Sequence, residues 1–358
     1  MILKDEYRNK KVIITGHTGF KGSWLSAWLI LLGARVIGIS DNFSTNPSHF
    51  KSLKIKKKIK HYSEDIRNLK VIKKIFTKHK PDYVFHLAAQ PLVKTSYIDP
   101  IKTFETNMLG TLNILESLRF IKNKCTAVII TSDKVYKNFE IKKGYKETDK
   151  LGGNDPYSAS KASAELILQS YIKSYFFKKK NILIGIARAG NVIGGGDWSE
   201  NRLIPDCVKS WSKNKIVSLR NPQSTRPWQH VLESLWGYLL LSLKLEKNKK
   251  LHGEAFNFGP DNKSSHDVYS VVKLMGHFWK NVRMTKIKKK KVYFHESSLL
   301  KLNSNKAKKF LKWRTILTFK ETIKLVADWY KNFYDKKDSS FITFYQIKLF
   351  MSLLKKRR

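Results

Sequence analysis

Cysteine is scarce in this chain: Cys125 and Cys207 are the only two in 358 residues. Two cysteines cannot build a disulfide framework, and the sequence has no Cys-x-x-Cys pair and no Cys/His spacing of the kind that binds metals. We therefore predict no disulfide-stabilised domain and no metal site. The same scarcity favours a reduced, cytoplasmic protein.

Long apolar runs are also missing. The longest, such as Leu25 to Leu32, fall far below the roughly 20 residues that a membrane-spanning helix needs. Because no run reaches this length, we expect no membrane span. The first residues also include no apolar signal region. Residues 341–354 are apolar and lead into a basic end; we expect a helix packed on the body of the protein, with a helix lying on a membrane surface as the alternative.

Acidic residues are few: 28 Asp and Glu accompany 70 Lys and Arg, which gives a formal net charge of +42. Such a charge raises nucleic-acid or anionic-membrane binding as a hypothesis. Only 12 of the basic residues are Arg, the side chain best suited to reading bases and phosphates. We interpret the scattered lysines as a solvated surface and predict no nucleic-acid partner. A basic polyanion-binding protein on a nucleotide-binding scaffold is the remote alternative.

Apolar segments rich in β-branched residues alternate with segments of helical length in the first half of the chain. Continuous apolar strands separated by helices are typical of a parallel sheet covered on both faces, which predicts a Rossmann-like, doubly wound α/β fold. The predicted strands are Val12 to Thr15, Val36 to Ile39, Tyr83 to Ala88, Val128 to Thr131 and Ile182 to Ala187.

The character of the sequence changes after Ala189, where Gly194 to Gly196 form a predicted loop and short strands such as Val217 to Leu219 and Ala255 to Phe258 follow. We predict a Rossmann domain over residues 1–189 and a smaller, mixed α/β lobe over residues 190–335, with some return of the chain to the first domain. Residues 336–358 are predicted to be a C-terminal tail.

A glycine motif follows the first predicted strand and opens a helix near Ser23. Gly16, Gly19 and Gly22 allow the backbone to turn sharply and to approach a pyrophosphate, whose charge is then stabilised by unpaired amides at the helix N-terminus. A glycine turn without a ligand is the alternative, but the order strand, turn, helix and second strand favours a dinucleotide site.

An acidic residue that contacts a ribose is expected about 20 residues after such a motif. Ser40 and Asp41 lie in this region. Asp41 on a ribose would favour NAD over NADP, because a 2′-phosphate would meet like charge. A helix N-cap role for Asp41 is the open alternative.

Two further motifs carry acid–base chemistry. Tyr157 and Lys161 are four residues apart, so on a helix they share one face, where the ammonium group is expected to lower the pKa of the phenol. Ser132, Asp133 and Lys134 follow a predicted strand at its carboxyl end, where doubly wound folds bind ligands. The adjacent carboxyl and amino groups have the chemistry of an acid and a base for an elimination; a solvated loop is the alternative.

These motifs resemble the extended short-chain dehydrogenase/reductase family and, within it, the nucleotide-sugar 4,6-dehydratases. The resemblance runs from about residue 10 to about residue 330 and includes the strings HLAAQPLV from His86, RAGNVIGGGDW from Arg188 and TRPWQHVLE from Thr225. Relatives that act on dTDP-glucose carry Glu at the position of Lys134, so Lys134 points to the branch that acts on CDP-glucose.

The resemblance implies a redox-neutral dehydration of CDP-glucose with NAD as cofactor, in deoxysugar and surface-polysaccharide synthesis. It implies Ser132, Asp133, Lys134, Tyr157 and Lys161 as the catalytic set. It further implies contacts to NAD from Gly16, Gly19, Phe20, Gly22, Asp41, Asp65, Ile66, Ala88, Ala89 and Gln90, in addition to Tyr157 and Lys161.

Other positions follow from the same resemblance. Asn107 is expected beside the cofactor, bracing the helix that carries Tyr157. The expected substrate residues are Asn191, Arg202, Arg220 and Arg226, because the forked donors of arginine suit a diphosphate. Relatives also lead us to expect a homo-oligomer, a dimer or a tetramer. Another nucleotide-sugar 4,6-dehydratase, or a 4-epimerase, remains the nearest alternative; an epimerase has no use for Asp133 and Lys134.

Overall fold

The computed structural model describes residues 3–219, 221–260, 265–279, 282, 284–286 and 300–357. Within these ranges a sheet of seven parallel strands forms the centre, in the order β11-β6-β5-β4-β1-β2-β3. The Rossmann-like α/β prediction is confirmed. The strands of this sheet are β1 (Lys11–Thr15), β2 (Arg35–Ser40), β3 (Lys60–Ser63), β4 (Tyr83–His86), β5 (Cys125–Ile130), β6 (Ile182–Ala189) and β11 (Ala255–Phe258).

Alternate residues of each strand enter two hydrophobic cores, one on each face of the sheet. On β1, Val12 and Ile14 enter the larger core and Ile13 enters the smaller one. The larger core is covered by α2 (Phe20–Leu31) and α10 (Val231–Lys247), and the smaller one by α4 (Leu69–His79), α7 (Gly110–Phe120) and α8 (Pro156–Tyr171). This arrangement aligns the carboxyl ends of β1, β4, β5 and β6 along one edge of the sheet.

The remaining helices are shorter or lie outside this sandwich. They are α1 (Lys4–Tyr7), α3 (His49–Ser52), α5 (Val93–Ile98), α6 (Pro100–Phe104), α9 (Leu203–Trp211), α11 (Val268–Gly276), α12 (Phe319–Tyr334) and α13 (Ser339–Lys356). Single turns of 3-10 helix occur at Lys56–Lys58, Asp133–Val135 and Lys249–Leu251, and π-helical turns at Glu105–Leu109, Ile172–Phe176 and Ala307–Leu311.

Three two-stranded pairs lie beyond the main sheet. They are β7 (Val192–Ile193) with β10 (Gln229–His230), β9 (Thr225–Pro227) with β12 (Ser265–Asp267), and β8 (Val217–Leu219) with β13 (Met284–Lys286). The second half of the chain also returns to the main sheet, because β11 pairs with β6 and α10 packs on β5 and β6. The division into domains at residue 189 stays a prediction.

The C-terminal helix α13 packs against α2 through an aromatic contact and against α12 through a hydrogen bond. Trp28 of α2 meets Phe350 edge-on with ring centroids 5.6 Å apart, and Trp329 of α12 donates to Thr343 Oγ1 over 2.8 Å. Both Phe350 and Thr343 are fully buried. Among the described residues no helix is long and apolar enough to cross a membrane.

Candidate active site

The glycine turn between β1 and α2 is as close-packed as a nucleotide-binding turn requires. Gly16 has a φ of +73°, and a Cβ there would lie 2.7 Å from the backbone nitrogen of Ala88. A Cβ on Gly22 would lie 2.1 Å from the carbonyl oxygen of Gly16. Gly19 is the N-cap of α2 and supplies no side-chain acceptor. The first amides of α2 are therefore left for an anion, as the pyrophosphate of a dinucleotide would need.

The turn is supported by the residues that follow β4. Ala88 donates its backbone N–H to Thr15 Oγ1 over 3.2 Å, and Ala89 follows it in a bend. Gln90 donates its backbone N–H to Asn107 Oδ1 over 2.8 Å. The Asn107 side chain in turn donates to the Gln90 carbonyl and, over 2.9 Å, to Ser160 Oγ of α8. Asn107 thus joins the predicted cofactor loop to the helix of Tyr157. The ring of Phe20, at the start of α2, lies against Gly194.

Asp41 lies at the end of β2 and is exposed. Ser40 beside it is buried, and its Oγ lies 3.4 Å from the donating amide of Thr18 in the glycine turn. The helix-cap alternative for Asp41 is wrong, because the next helix, α3, begins after Ser48, whose side chain accepts from the Lys51 amide. An exposed carboxyl group next to the glycine turn is compatible with the ribose contact that the sequence predicts.

Asp65 and Ile66 follow β3 and have different surroundings. Asp65 forms an ion pair with Arg67 over 2.7 Å, and Arg67 also contacts Glu105 over 2.6 Å. The hydrogen bonds from Arg67 lower the pKa of Asp65. Ile66 is buried directly under Gly110, where a Cβ would lie 2.4 Å from its Cδ1.

The loop after β5 turns sharply at Ser132. Its Oγ accepts the amide of Lys134 over 3.2 Å, which starts the 3-10 turn Asp133–Val135. The Ser132 hydroxyl donates to Asp133 Oδ1 over 2.9 Å. Gly190 leaves room for this carboxyl group, since a Cβ there would lie 3.2 Å from Asp133 Oδ2. Ser132 and Asp133 are thereby fixed and buried at the carboxyl edge of the sheet.

Helix α8 begins at this edge and carries the Tyr/Lys pair on one face. Asp155 is its N-cap and accepts the Ser158 amide over 2.9 Å, and Pro156 occupies the first helical position, where a missing N–H has no cost. The amide of Tyr157 donates to Ser96 Oγ over 3.1 Å. Tyr157 and Lys161 are no more than 8% exposed.

Burial determines the charge states of these groups. It raises the pKa of Tyr157 to about 12, against the opposing effect of the hydrogen bond with Ser132. That the ammonium group of Lys161 lowers the pKa of the phenol stays a prediction; burial lowers the pKa of Lys161 itself to about 8. Burial raises the pKa of Asp133 as well, which favours the protonated acid.

Lys134 is only partly buried. Its side chain lines a small cavity with Asp155, Tyr136, Asn154 and Ser158. The positive charge of Lys134 lowers the pKa of Asp133 and so opposes the effect of burial. The charge of the base proposed from the sequence therefore acts on the proposed acid.

The structure adds two residues that sequence reasoning missed. Lys21, between Phe20 and Gly22, has its Nζ 3.4 Å from the hydroxyl of Tyr238 on α10, and its charge acts on Asp133 and Lys161. The lysine inside the glycine motif was a signal that could have been used, because backbone contacts alone do not call for a charged side chain there. No sequence motif around Tyr238 marks it as part of the site.

Three of the four predicted substrate residues fall within the part of the chain that the structure describes, and they lie at different elements. Asn191 follows β6 and is exposed. Arg202 pairs with Asp197 over 3.0 Å, and its charge lowers the pKa of Tyr157. Arg226 lies on β9 opposite His266 of β12. Arg220 lies outside the described residues. No cluster of potential metal ligands occurs among the residues that the structure describes.

Comparison with known proteins shows the family of the chain. Residues 13–326 match the model of a family described as GDP-mannose 4,6 dehydratase. A CDP-glucose 4,6-dehydratase from Salmonella typhimurium is 40% identical over 335 residues, which are 92% of this chain and 93% of that protein. A dTDP-D-glucose 4,6-dehydratase from Dictyostelium discoideum is 29% identical and covers 72% of this chain and 60% of its own length.

Solved structures share the fold at lower identity. An epimerase from Methanothermobacter thermautotrophicus superposes with a TM-score of 0.82 at 24% identity, over 94% of this chain and 96% of its own. A dTDP-glucose 4,6-dehydratase from Streptomyces venezuelae, solved with NAD bound, superposes with a TM-score of 0.76 at 20% identity, over 92% of this chain and 99% of its own.

Proposed function

The chain belongs to the GDP-mannose 4,6-dehydratase family of extended short-chain dehydrogenase/reductases, and on this premise we propose that it is a hydro-lyase that converts CDP-glucose to CDP-4-keto-6-deoxyglucose with NAD as cofactor. The observation that carries the proposal is the buried group of Ser132, Asp133, Tyr157 and Lys161 beside the glycine turn. The 40% identical CDP-glucose 4,6-dehydratase supports the choice of substrate.

The geometry of the glycine turn supports the choice of NAD as cofactor. Side chains at Gly16 or Gly22 would collide with backbone atoms, and the first amides of α2 have no side-chain cap. Gly16, Gly19, Phe20 and Gly22 would hold the pyrophosphate there, and Asp41 the ribose. NAD, when bound, supplies a temporary acceptor for the hydride that leaves C4 of the sugar and later arrives at C6.

Tyr157 is proposed to take the proton of the sugar 4-OH. Its high pKa means that the phenolate needs help from nearby groups, and Ser132 and Arg202 both lower that pKa. The negative charge of Asp133 has the opposite effect. Protonation of Asp133 therefore has two consequences: it removes the charge that opposes the phenolate, and it prepares an acid for the next step.

The elimination is assigned to Asp133 and Lys134. Once C4 is a ketone, the hydrogen on C5 becomes acidic; Lys134 would remove it while Asp133 gives its proton to the departing 6-OH. Burial keeps Asp133 protonated to a higher pH than a free aspartic acid, as this role requires. The product of the step is a 4-keto-5,6-ene, which takes up hydride at C6 and a proton at C5.

The first experiment is to incubate the purified protein with CDP-glucose in deuterated water without added reductant and to follow the sugar by mass spectrometry. Loss of water together with the gain of one solvent deuterium would support the full reaction. Deuterium without loss of water would contradict the acid role of Asp133. Conversion of dTDP- or GDP-linked sugars alone would overturn the substrate, and no reaction with any of them would overturn the proposal.

We also propose that the protein acts as a homo-oligomer, a dimer or a tetramer, in the cytoplasm, in deoxysugar supply for surface polysaccharides. Apolar side chains on α5, α6 and α8 are exposed, with Ile98 at 73%, Ile101 at 74% and Leu166 at 57%, and a second copy of the chain is the partner that would cover them. A monomeric mass in solution, measured by light scattering, would contradict the oligomer.

A further inference from the structure

Lys21 occupies an unusual place for a cation. It lies in the first turn of α2, directly after the glycine turn, and its Nζ lies 3.4 Å from the Tyr238 hydroxyl and 5.9 Å from the centre of the Tyr238 ring. Tyr238 is fully buried on α10. The Lys21 side chain is partly buried, and its ammonium group is directed to α10, whereas most lysines extend into solvent.

The groups facing Lys21 leave an excess of positive charge. Asp133 comes from the end of β5, Lys161 from α8 and Arg202 from the start of α9, and each interacts electrostatically with Lys21. Tyr157 and Tyr238 complete the surroundings as neutral phenols, since burial raises the pKa of both. Asp133 is the one carboxyl group among these neighbours, and burial favours its neutral form. Arg202 is paired with Asp197 over 3.0 Å, so the charges of Lys21 and Lys161 face a carboxyl group, Asp133, whose neutral form burial favours.

We propose that Lys21 destabilises the oxidised form of bound NAD relative to the reduced form and so makes the cofactor a stronger hydride acceptor. This inference rests on the proposed function. Oxidation of the sugar breaks the C4–H bond; the hydride, which carries both electrons, goes to the nicotinamide, and the hydroxyl proton goes to Tyr157. The oxidised ring is positively charged and the reduced ring is neutral.

The positive charge of Lys21 affects the binding of these two forms of the ring differently. Tyr157 must reach the oxygen on C4, so the hydride acceptor lies against the same carbon, close to the cluster that Lys21 belongs to. Coulomb energies are large in a buried site because little water screens them. A fixed cation there weakens binding of the positively charged ring and leaves binding of the neutral ring almost unchanged. The pyrophosphate, in contrast, is the same in both forms.

The test measures binding and needs no turnover. Dissociation constants for NAD+ and NADH are determined by titration calorimetry for the wild type and for Lys21→Met, which keeps the length of the side chain and removes its charge. We expect the ratio of the NAD+ constant to the NADH constant to fall about tenfold, equivalent to ~1.4 kcal/mol, in Lys21→Met. Lys21→Arg, which keeps the charge, should retain the wild-type ratio, as should Lys74→Met on the exposed side of α4.

The pH dependence of the ratio of the two dissociation constants gives a second test. Burial and the neighbouring Arg202 lower the pKa of Lys21 to about 8, so the wild-type ratio should fall between pH 7 and pH 9 as Lys21 loses its proton. In Lys21→Met the fall should be smaller, because the remaining titration comes from the neighbours Lys161 and Asp133 without Lys21.

The alternatives give different results. Equal weakening of both nucleotides in Lys21→Met would mean that Lys21 contacts the pyrophosphate and would overturn the inference, as would an unchanged ratio. Failure of the wild-type protein to bind either nucleotide would instead overturn the proposed function itself.

Discussion

Arg188 and Glu165 form a fully buried ion pair behind the candidate active site. Nε of Arg188 donates to the two carboxylate oxygens of Glu165 over 2.8 and 3.0 Å, and the side chains are 2% and 0% exposed. Thr131 Oγ1 donates to Glu165 Oε1 over 2.5 Å, and Arg188 Nη1 donates to the Tyr136 hydroxyl over 2.7 Å. The pair joins α8 to β6, and through Thr131 it also contacts the residue directly before Ser132.

Glu165→Gln should destabilise the protein strongly. The substitution keeps the shape of the side chain but leaves the charge of Arg188 buried without a counter-charge, which costs about 3–5 kcal/mol. We expect a loss of this size in the free energy of unfolding, measured by urea denaturation with fluorescence detection. Because Glu165 also fixes the Thr131 hydroxyl next to Ser132, activity of the folded variant should fall too.

Glu116→Gln is the matched control. Glu116 pairs with Arg119 over 3.0 Å on the surface of α7, where the side chains are 17% and 36% exposed. A pair of this kind contributes about 0–1 kcal/mol. Similar losses in the two variants would contradict the importance assigned to burial of the Arg188–Glu165 pair.

Asp133→Asn should separate the first step from the elimination. The amide cannot give a proton to the departing hydroxyl, so we expect product formation to slow by about 10²–10⁴-fold while NAD binding is retained. Asp335→Asn, an exposed substitution beyond α12, should leave the rate unchanged. Single-turnover assays with CDP-glucose measure both; unchanged product formation in Asp133→Asn would remove Asp133 from the acid role.

The pH dependence of the elimination follows from the same residue. The acid must be protonated, and burial raises the pKa of Asp133. The rate assigned to Asp133 is therefore constant at low pH and falls as the pH rises through this raised pKa, above the range in which a free aspartic acid loses its proton. A falling limb at the ordinary pKa of aspartic acid would contradict the effect of burial.

The sheet was predictable from sequence where its strands are apolar and buried on both faces. The strand β3 was missed because Lys60, His61, Tyr62 and Ser63 contain no apolar run. The segment Ala255–Phe258 was predicted as a strand and found as one, yet its place beside β6 in the main sheet depends on tertiary packing. Local patterns carry no information on such pairing.

The candidate site was predictable where its residues are neighbours in sequence. Ser132 to Lys134 form one turn, and Tyr157 and Lys161 form one helical face, so local geometry brings each group together. The contact between Lys21 and Tyr238 joins residues 217 positions apart, which spacing rules do not reach. The pKa of Tyr157 could not be predicted either, because the opposing effects of burial and nearby charges depend on the folded surroundings.

Lys134→Ala tests whether Lys134 is the base that removes the C5 proton. The truncated side chain cannot remove the C5 proton, so we expect incorporation of solvent deuterium at C5 and formation of product to slow together, with NAD binding retained. Lys137→Ala is the control, since Lys137 is exposed three residues further along the chain. Mass spectrometry in deuterated water measures the exchange; undiminished exchange in Lys134→Ala would exclude Lys134 as the base.

Glu233 offers a test of stability away from the chemistry. It is 1% exposed on α10, and its Oε1 accepts the amides of Ile316 and Leu317 over 2.8 and 2.7 Å. Burial raises its pKa to about 8, far above the value of a free glutamic acid. The folded state therefore binds a proton that the unfolded state releases, and the contribution of Glu233 to stability is complete below about pH 4.3 and is lost as the pH rises through 8.

Glu233→Gln removes this titration. The amide oxygen can still accept the Ile316 and Leu317 amides, and the side chain stays neutral at every pH. We expect the stability of the variant relative to wild type to rise by at least about 1 kcal/mol between pH 5 and pH 9, because one unit of pKa shift corresponds to ~1.4 kcal/mol. Urea denaturation at a series of pH values measures it. A difference that does not change with pH would mean that Glu233 is ionised in the folded protein despite its burial.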